Sequence, residues 1–122
     1  VVDDRWDDYH SVTTPTLIAD NFFGAGCILG NKNTITELNL NAIKGFMKIN
    51  NKIVGSGTGE DIMGNPLKAL AWLANLNLNL GTPLKSGQFV LLGSIVETKW
   101  INQGDVVEIE IEKLGKASIE FV

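Results

Sequence analysis

The densest group of titratable side chains lies at the start of the chain: Asp3, Asp4, Asp7 and Asp8, with the single histidine, His10, close behind. Hard divalent cations take several carboxylate oxygens and imidazole is a frequent transition-metal ligand, so this run is a candidate metal site. On an extended strand, however, Asp3 and Asp4 point to opposite faces. The acids then spread over a solvated surface, which is the preferred reading. Asp3 and Arg5 are the exception, because their i, i+2 spacing puts them on one face as a candidate ion pair. The run Gly55-Ser56-Gly57-Thr58-Gly59 lacks the Lys-Ser/Thr ending of a P-loop and the spacing of GxGxxG. A mobile loop over a site, or an ordinary surface loop, fits it better than a phosphate cradle. Ser11, Ser56, Ser94 and Cys27 are candidate nucleophiles, but one histidine and no nucleophile elbow leave no Ser or Cys triad. Trp6, Trp72 and Trp100 read as core or interface packing.

The elements that would position these groups follow from turn chemistry and periodicity. Val1 to Asp8 reads as a strand end entering a polar loop through Pro15. Thr16 to Ala19, then Asp20-Asn21 and Phe22-Phe23-Gly24-Ala25-Gly26, suit a helical turn or loop beside a cavity. Phe46, Met47, Ile49, Ile53 and Val54 flank Asn50-Asn51, which predicts a β-hairpin. Gly55 to Glu60 is expected to be flexible, outside any regular element. Asn65 as N-cap, Pro66 in the first turn, apolar Leu67, Leu70, Ala71, Ala74 and Leu78, and Gly81 as terminator predict a helix over about 65–80. Apolar or alternating runs at Phe89 to Ser94, Val106 to Ile111 and Ser118 to Val122 predict strands, with turns at Gly104 and Gly115. Strands and hairpins around one capped helix give an α+β domain.

Composition bounds the function classes. The 122 residues, 44% hydrophobic and 20% charged, can build one core and exclude a disordered chain. A formal charge of -4 with lysines scattered singly disfavours nucleic acid and anionic lipid as partners. No apolar run approaches the roughly 18 residues of a membrane span. The lone Cys27 excludes an intrachain disulfide, and a reducing cytoplasm is the expected location. The chain opens Val1-Val2-Asp3 without Met, so it is expected to be a fragment, residues 1–122 forming a single domain at the C-terminal end of a larger catalytic domain.

The order of motifs adds a resemblance. VVDDRW, then IADNFFGAGCILG, then GSGTGEDIMGNPLKALAWLANLNLNLGTPLKSGQFVLLGS, and finally NQGDVVEIEIEKLGKASIEF resemble the C-terminal half of the 2-oxopent-4-enoate (2-keto-4-pentenoate) hydratase and 4-oxalocrotonate decarboxylase family, within the fumarylacetoacetate hydrolase superfamily. The most specific stretch is Gly64-Asn65-Pro66-Leu67 through Ala71-Trp72-Leu73-Ala74, followed by Leu84-Lys85-Ser86-Gly87 and Leu92-Gly93-Ser94. The resemblance implies a mixed β-roll with the capped helix packed against it, as in the fumarylacetoacetase C-terminal domain. It implies a metal-dependent lyase, a hydratase or decarboxylase of aromatic-compound catabolism, whose Mg²⁺ or Mn²⁺ chelates an unsaturated 2-oxo acid and stabilises enolate charge. The family's ligands are a Glu-x-Glu pair and a third Glu. By the resemblance the third would precede Val1 and the pair lie further upstream, so no metal ligand is expected on this chain, which alone would be inactive. Asp3 and Arg5 would lie beneath the metal site, Asp20 and Asn21 on the pocket wall, and Gly93-Ser94 at a strand end facing the substrate. Phe22 and Phe23 stand where relatives usually carry Ala-Ser, and change the pocket's volume and polarity. The family's homo-oligomers imply a contact surface, for which the apolar helix face with Trp72 is the candidate. Two alternatives remain open: a catalytically silent assembly subunit, and a C-C bond hydrolase of the same superfamily.

Overall fold

Asn50 and Asn51 both occupy left-handed backbone, with φ of 50° and 66°, the pair of positive values that a two-residue hairpin turn needs and asparagine tolerates. They join β1 (Lys44–Ile49) to β2 (Lys52–Thr58), as the sequence predicts. The computed structural model describes residues 1–122. Its other elements are α1 (Thr14–Ala19), α2 (Pro66–Asn79), β3 (Val106–Ile111) and β4 (Gly115–Glu120), with short 3-10 turns at Tyr9–Ser11 and Gly59–Asp61. The strands form one antiparallel sheet in the order β2-β1-β3-β4, so the α+β class is the one observed. Asp105 ties the hairpin tip to β3: its carboxylate accepts from the Asn102 amide at 2.8 Å and from Asn50 Nδ2 at 2.7 Å, while the Val106 amide donates to Asn50 Oδ1 at 2.9 Å. These bonds, that from Asn102 foremost, hold the Asp105 carboxyl below the usual carboxylate range.

Strand register divides the sheet into two unlike faces. Met47, Ile49, Val107, Ile109, Ile111, Ala117 and Ile119 share one of them. The other carries Lys48, which pairs with Glu108 at 3.0 Å and Glu110 at 2.6 Å, and Lys116, which reaches Glu108 at 2.9 Å. Glu110 and then Glu108 hold the Lys48 ammonium above its ordinary value, and Lys116 and then Lys48 hold Glu108 below its own. Such half-buried cross-strand pairs contribute little net stability, because partial desolvation offsets their attraction, and they mark this as the charged face.

Gly55 to Thr58, expected to be flexible, belongs to β2. The glycines serve close approach instead of mobility. A Cβ on Gly55 would run into the Val96 side chain, and one on Gly57 into the Ile95 carbonyl. The segment around Ile95-Val96 therefore lies flush on the sheet. Beyond β2 the Asp61 carboxylate accepts from the Thr58 amide at 2.7 Å and turns the chain into the 3-10 turn.

Phe89 to Ser94, predicted as a strand, has no regular structure and makes no backbone hydrogen bond. Without a ladder partner an apolar run does not become a strand, and Phe89 and Leu91 stay exposed beside α2. The last strand is displaced toward the N-terminus relative to the predicted Ser118 to Val122, beginning at Gly115 and ending at Glu120. The predicted helix is present. Asn65 Oδ1 accepts from the Leu67 amide at 2.8 Å, Pro66 occupies the first position, and at the far end Gly81 (φ 76°) lets the Thr82 amide reach the Asn77 carbonyl at 2.9 Å, a Schellman closure. α2 faces Leu84 to Leu91 across an open groove of about 600 Å³ lined by Leu73, Leu84, Phe89, Val90 and Leu91.

Burial is sparse. Five of 122 residues are buried, and of the large apolar side chains only Ile43 and Val107 are among them. The three tryptophans are all exposed, so none of them is a core residue. The accessible area is 9224 Å², against about 6,400 Å² for a folded monomer of this mass by the usual scaling. Exposed large apolar side chains include Trp72, Leu76, Leu78, Leu80, Phe89 and Leu91. Because Ile95-Val96 seats against bare backbone, Gly57→Ala is expected to lower unfolding free energy by about 1–3 kcal/mol. Gly26→Ala, whose Cβ would meet nothing within 4 Å, is expected to change it by under about 0.5 kcal/mol. Urea denaturation of the two variants checks this; equal effects would contradict the close approach.

Candidate functional site

α1 ends by a Schellman closure in which asparagine takes the place of glycine. The Asn21 amide donates to the Ile18 carbonyl at 3.2 Å and the Phe22 amide to the Leu17 carbonyl at 2.8 Å, with Asn21 at φ 57°. The next two residues stay left-handed, Phe22 at 49° and Phe23 at 62°, and the Gly24 amide closes the turn on the Asn21 carbonyl at 3.0 Å. This is hairpin-turn geometry, for which Asn-Gly is the favoured pair. A side chain bearing a Cβ costs about 1 kcal/mol or more at each such position.

The turn sends residues 23–26 back along residues 1–3. The Asp3 amide donates to the Phe23 carbonyl at 2.9 Å, the Ala25 amide to the Val1 carbonyl at 3.2 Å, and the Val1 nitrogen to the Gly26 carbonyl at 2.9 Å. That short antiparallel ribbon, with Val2 opposite Gly24, carries Arg5 over Asp20. The guanidinium grips the carboxylate in a two-pronged fork, Nε to Oδ1 at 3.1 Å and Nη2 to Oδ2 at 3.0 Å. It also donates to the carbonyls of Asp20 at 3.2 Å and Gly24 at 3.4 Å. The Phe23 amide adds a bond to Asp20 Oδ2 at 3.0 Å. The Asp20 side chain is only 14% exposed and that of Arg5 38%. Arg5 first, then the Phe23 amide, hold the Asp20 carboxyl below the usual carboxylate range against the opposing effect of partial desolvation. Asp20 in turn raises the Arg5 pKa.

The candidate Asp3–Arg5 ion pair is not formed. Asp3 contributes only a distant attraction to Arg5, because a planar fork satisfied by one carboxylate and two carbonyls has little left for a neighbour on the same ribbon. The acidic run serves its own backbone: Asp4 Oδ1 accepts from the Trp6 amide and Asp8 Oδ1 from the His10 amide, each at 3.1 Å. No three His, Cys, Asp or Glu side chains converge closely enough to hold a metal ion. The donor set of this chain therefore does not fit a divalent cation. An open depression of about 360 Å³ lies between Trp6, Asp7, Asp8, Ser11 and Thr13, and none of the predicted pocket residues lines it.

Of those pocket residues, Asp20, Asn21, Phe22 and Phe23 form one turn, with Arg5 and Asp3 against it. Gly93 and Ser94 lie on the irregular segment, not at a strand end. Ser94 Oγ donates to the Val96 carbonyl at 2.9 Å, and no hydrogen bond joins this segment to the Asp20 turn. Two features had no local signal in the sequence: the Arg5–Asp20 fork, which spans fifteen residues, and the stacking of Tyr9 on His10 at 4.0 Å with Trp100 at 6.1 Å from Tyr9.

Comparison with known proteins supplies the wider context. The family described as fumarylacetoacetate (FAA) hydrolase C-terminal matches residues 5–122. The chain is 34% identical over 122 residues to a 2-hydroxyhexa-2,4-dienoate hydratase of Comamonas testosteroni, covering 99% of this chain and 46% of that protein. It is 28% identical over 123 residues to a 4-oxalocrotonate decarboxylase of Pseudomonas putida, covering 100% and 46%. A solved 4-oxalocrotonate decarboxylase from Pseudomonas putida G7, complexed with magnesium and adipate, superposes with a TM-score of 0.87 at 26% identity over 99% of this chain and 46% of that one. The same enzyme complexed with calcium and acetate gives 0.84 at 27% identity, over 99% and 45%. These neighbours hold a divalent metal. The chain thus spans a little under half the length of the relatives it matches.

The fork has a pH signature. The folded-state pKa of Asp20 is depressed, so its contribution is fully present above the unfolded value of about 4 and is lost as pH falls through the folded one. Asp20→Asn is expected to be less stable than the parent at pH 6, with the gap narrowing toward pH 2–3. Denaturation midpoints measured across that range check it; a gap independent of pH would contradict the paired carboxylate.

Proposed function

Because the chain belongs to the fumarylacetoacetate (FAA) hydrolase C-terminal family, we propose that it is the C-terminal part of a divalent-metal-dependent lyase acting on unsaturated 2-oxo acids. The reaction is hydration of dienols of the 2-oxopent-4-enoate type or decarboxylation of 4-oxalocrotonate. In the first, water adds across a carbon-carbon double bond. In the second, the carboxyl carbon leaves as carbon dioxide and its bonding pair passes into the conjugated 2-oxo system. The observation that carries the reading is the alignment of 99% or more of the chain with both kinds of enzyme.

In this reading Mg²⁺ or Mn²⁺ is held by carboxylates outside residues 1–122, since the side chains of this chain do not gather into a metal site. The chain supplies wall and support. Asp20, Asn21, Phe22 and Phe23, with Gly93 and Ser94, border the substrate, and Arg5 holds the turn through Asp20 while Asp3 fixes the ribbon through its amide. Arg5 is a positioning residue here, its fork already engaged. The apolar surface left open on α2 and the Leu84–Leu91 segment is closed by further polypeptide of the same catalytic domain and by a second copy in a homo-oligomer. The excess accessible area supports this, being larger than a standard interface of about 1,600 Å². No helix is long and apolar enough to cross a membrane, and we place the enzyme in the cytoplasm, in the breakdown of aromatic compounds.

Incubating the whole protein with the dienoate and with 4-oxalocrotonate under Mg²⁺ or Mn²⁺ tests the proposal by loss of substrate absorbance. Turnover of at least one substrate is expected, and a chelator should abolish it. No metal-dependent turnover of either would overturn the lyase reading and favour the silent assembly subunit.

A further inference from the structure

We draw no further inference here: the strongest candidate, the open apolar groove between α2 and the Leu84 to Leu91 segment, is an unpartnered face on a chain that spans under half the length of its relatives, and nothing in the structure shows what covers it.

Discussion

An antiparallel sheet with one charged face and one apolar face can leave only the charged side in water. Here the Lys48, Glu108, Glu110 and Lys116 ladder marks the charged side, and the face bearing Met47, Ile49, Ile109 and Ile119 has to be covered. Ile95-Val96, seated over the backbone of Gly55 and Gly57, is the cover this chain provides. It is too little to bury more than Ile43 and Val107 among the large apolar residues. The arrangement is that of a sheet built to be closed by more protein than it carries, in accord with a chain that spans 46% of the relatives it matches.

Against that open framework the Asp20 turn is locally over-determined. A Schellman closure, a hairpin-type turn, a three-bond ribbon and a bidentate ion pair all act on residues 1–5 and 17–26. Redundancy of this kind holds three successive left-handed residues in place. Placement is what this chain contributes to the proposed chemistry.

Features set by neighbours in sequence were readable in advance. Asn50-Asn51 announced the hairpin, and Asn65-Pro66 with Gly81 announced both ends of α2, because capping and turn geometry depend on a few adjacent residues. Local composition makes Gly55 to Thr58 look mobile, because the reason for its glycines lies about forty residues away, at Ile95-Val96. Phe89 to Ser94 was misread as a strand because an apolar run does not reveal whether a ladder partner exists. Arg5 was matched with Asp3 by local spacing, whereas geometry favoured Asp20 across a turn whose shape depends on three unusual φ values. The motif order carried the family, but it gave no sign of the Arg5–Asp20 fork that fixes the turn at Asp20 to Phe23.

The most direct test of the central claim, that this sheet and α2 depend on cover from beyond residues 1–122, is amide hydrogen exchange measured on the 122-residue chain and on the whole protein under the same conditions. The account predicts that amides of β1, β3 and α2 exchange much more slowly in the whole protein, by about two orders of magnitude or more. Equal protection in both would contradict it.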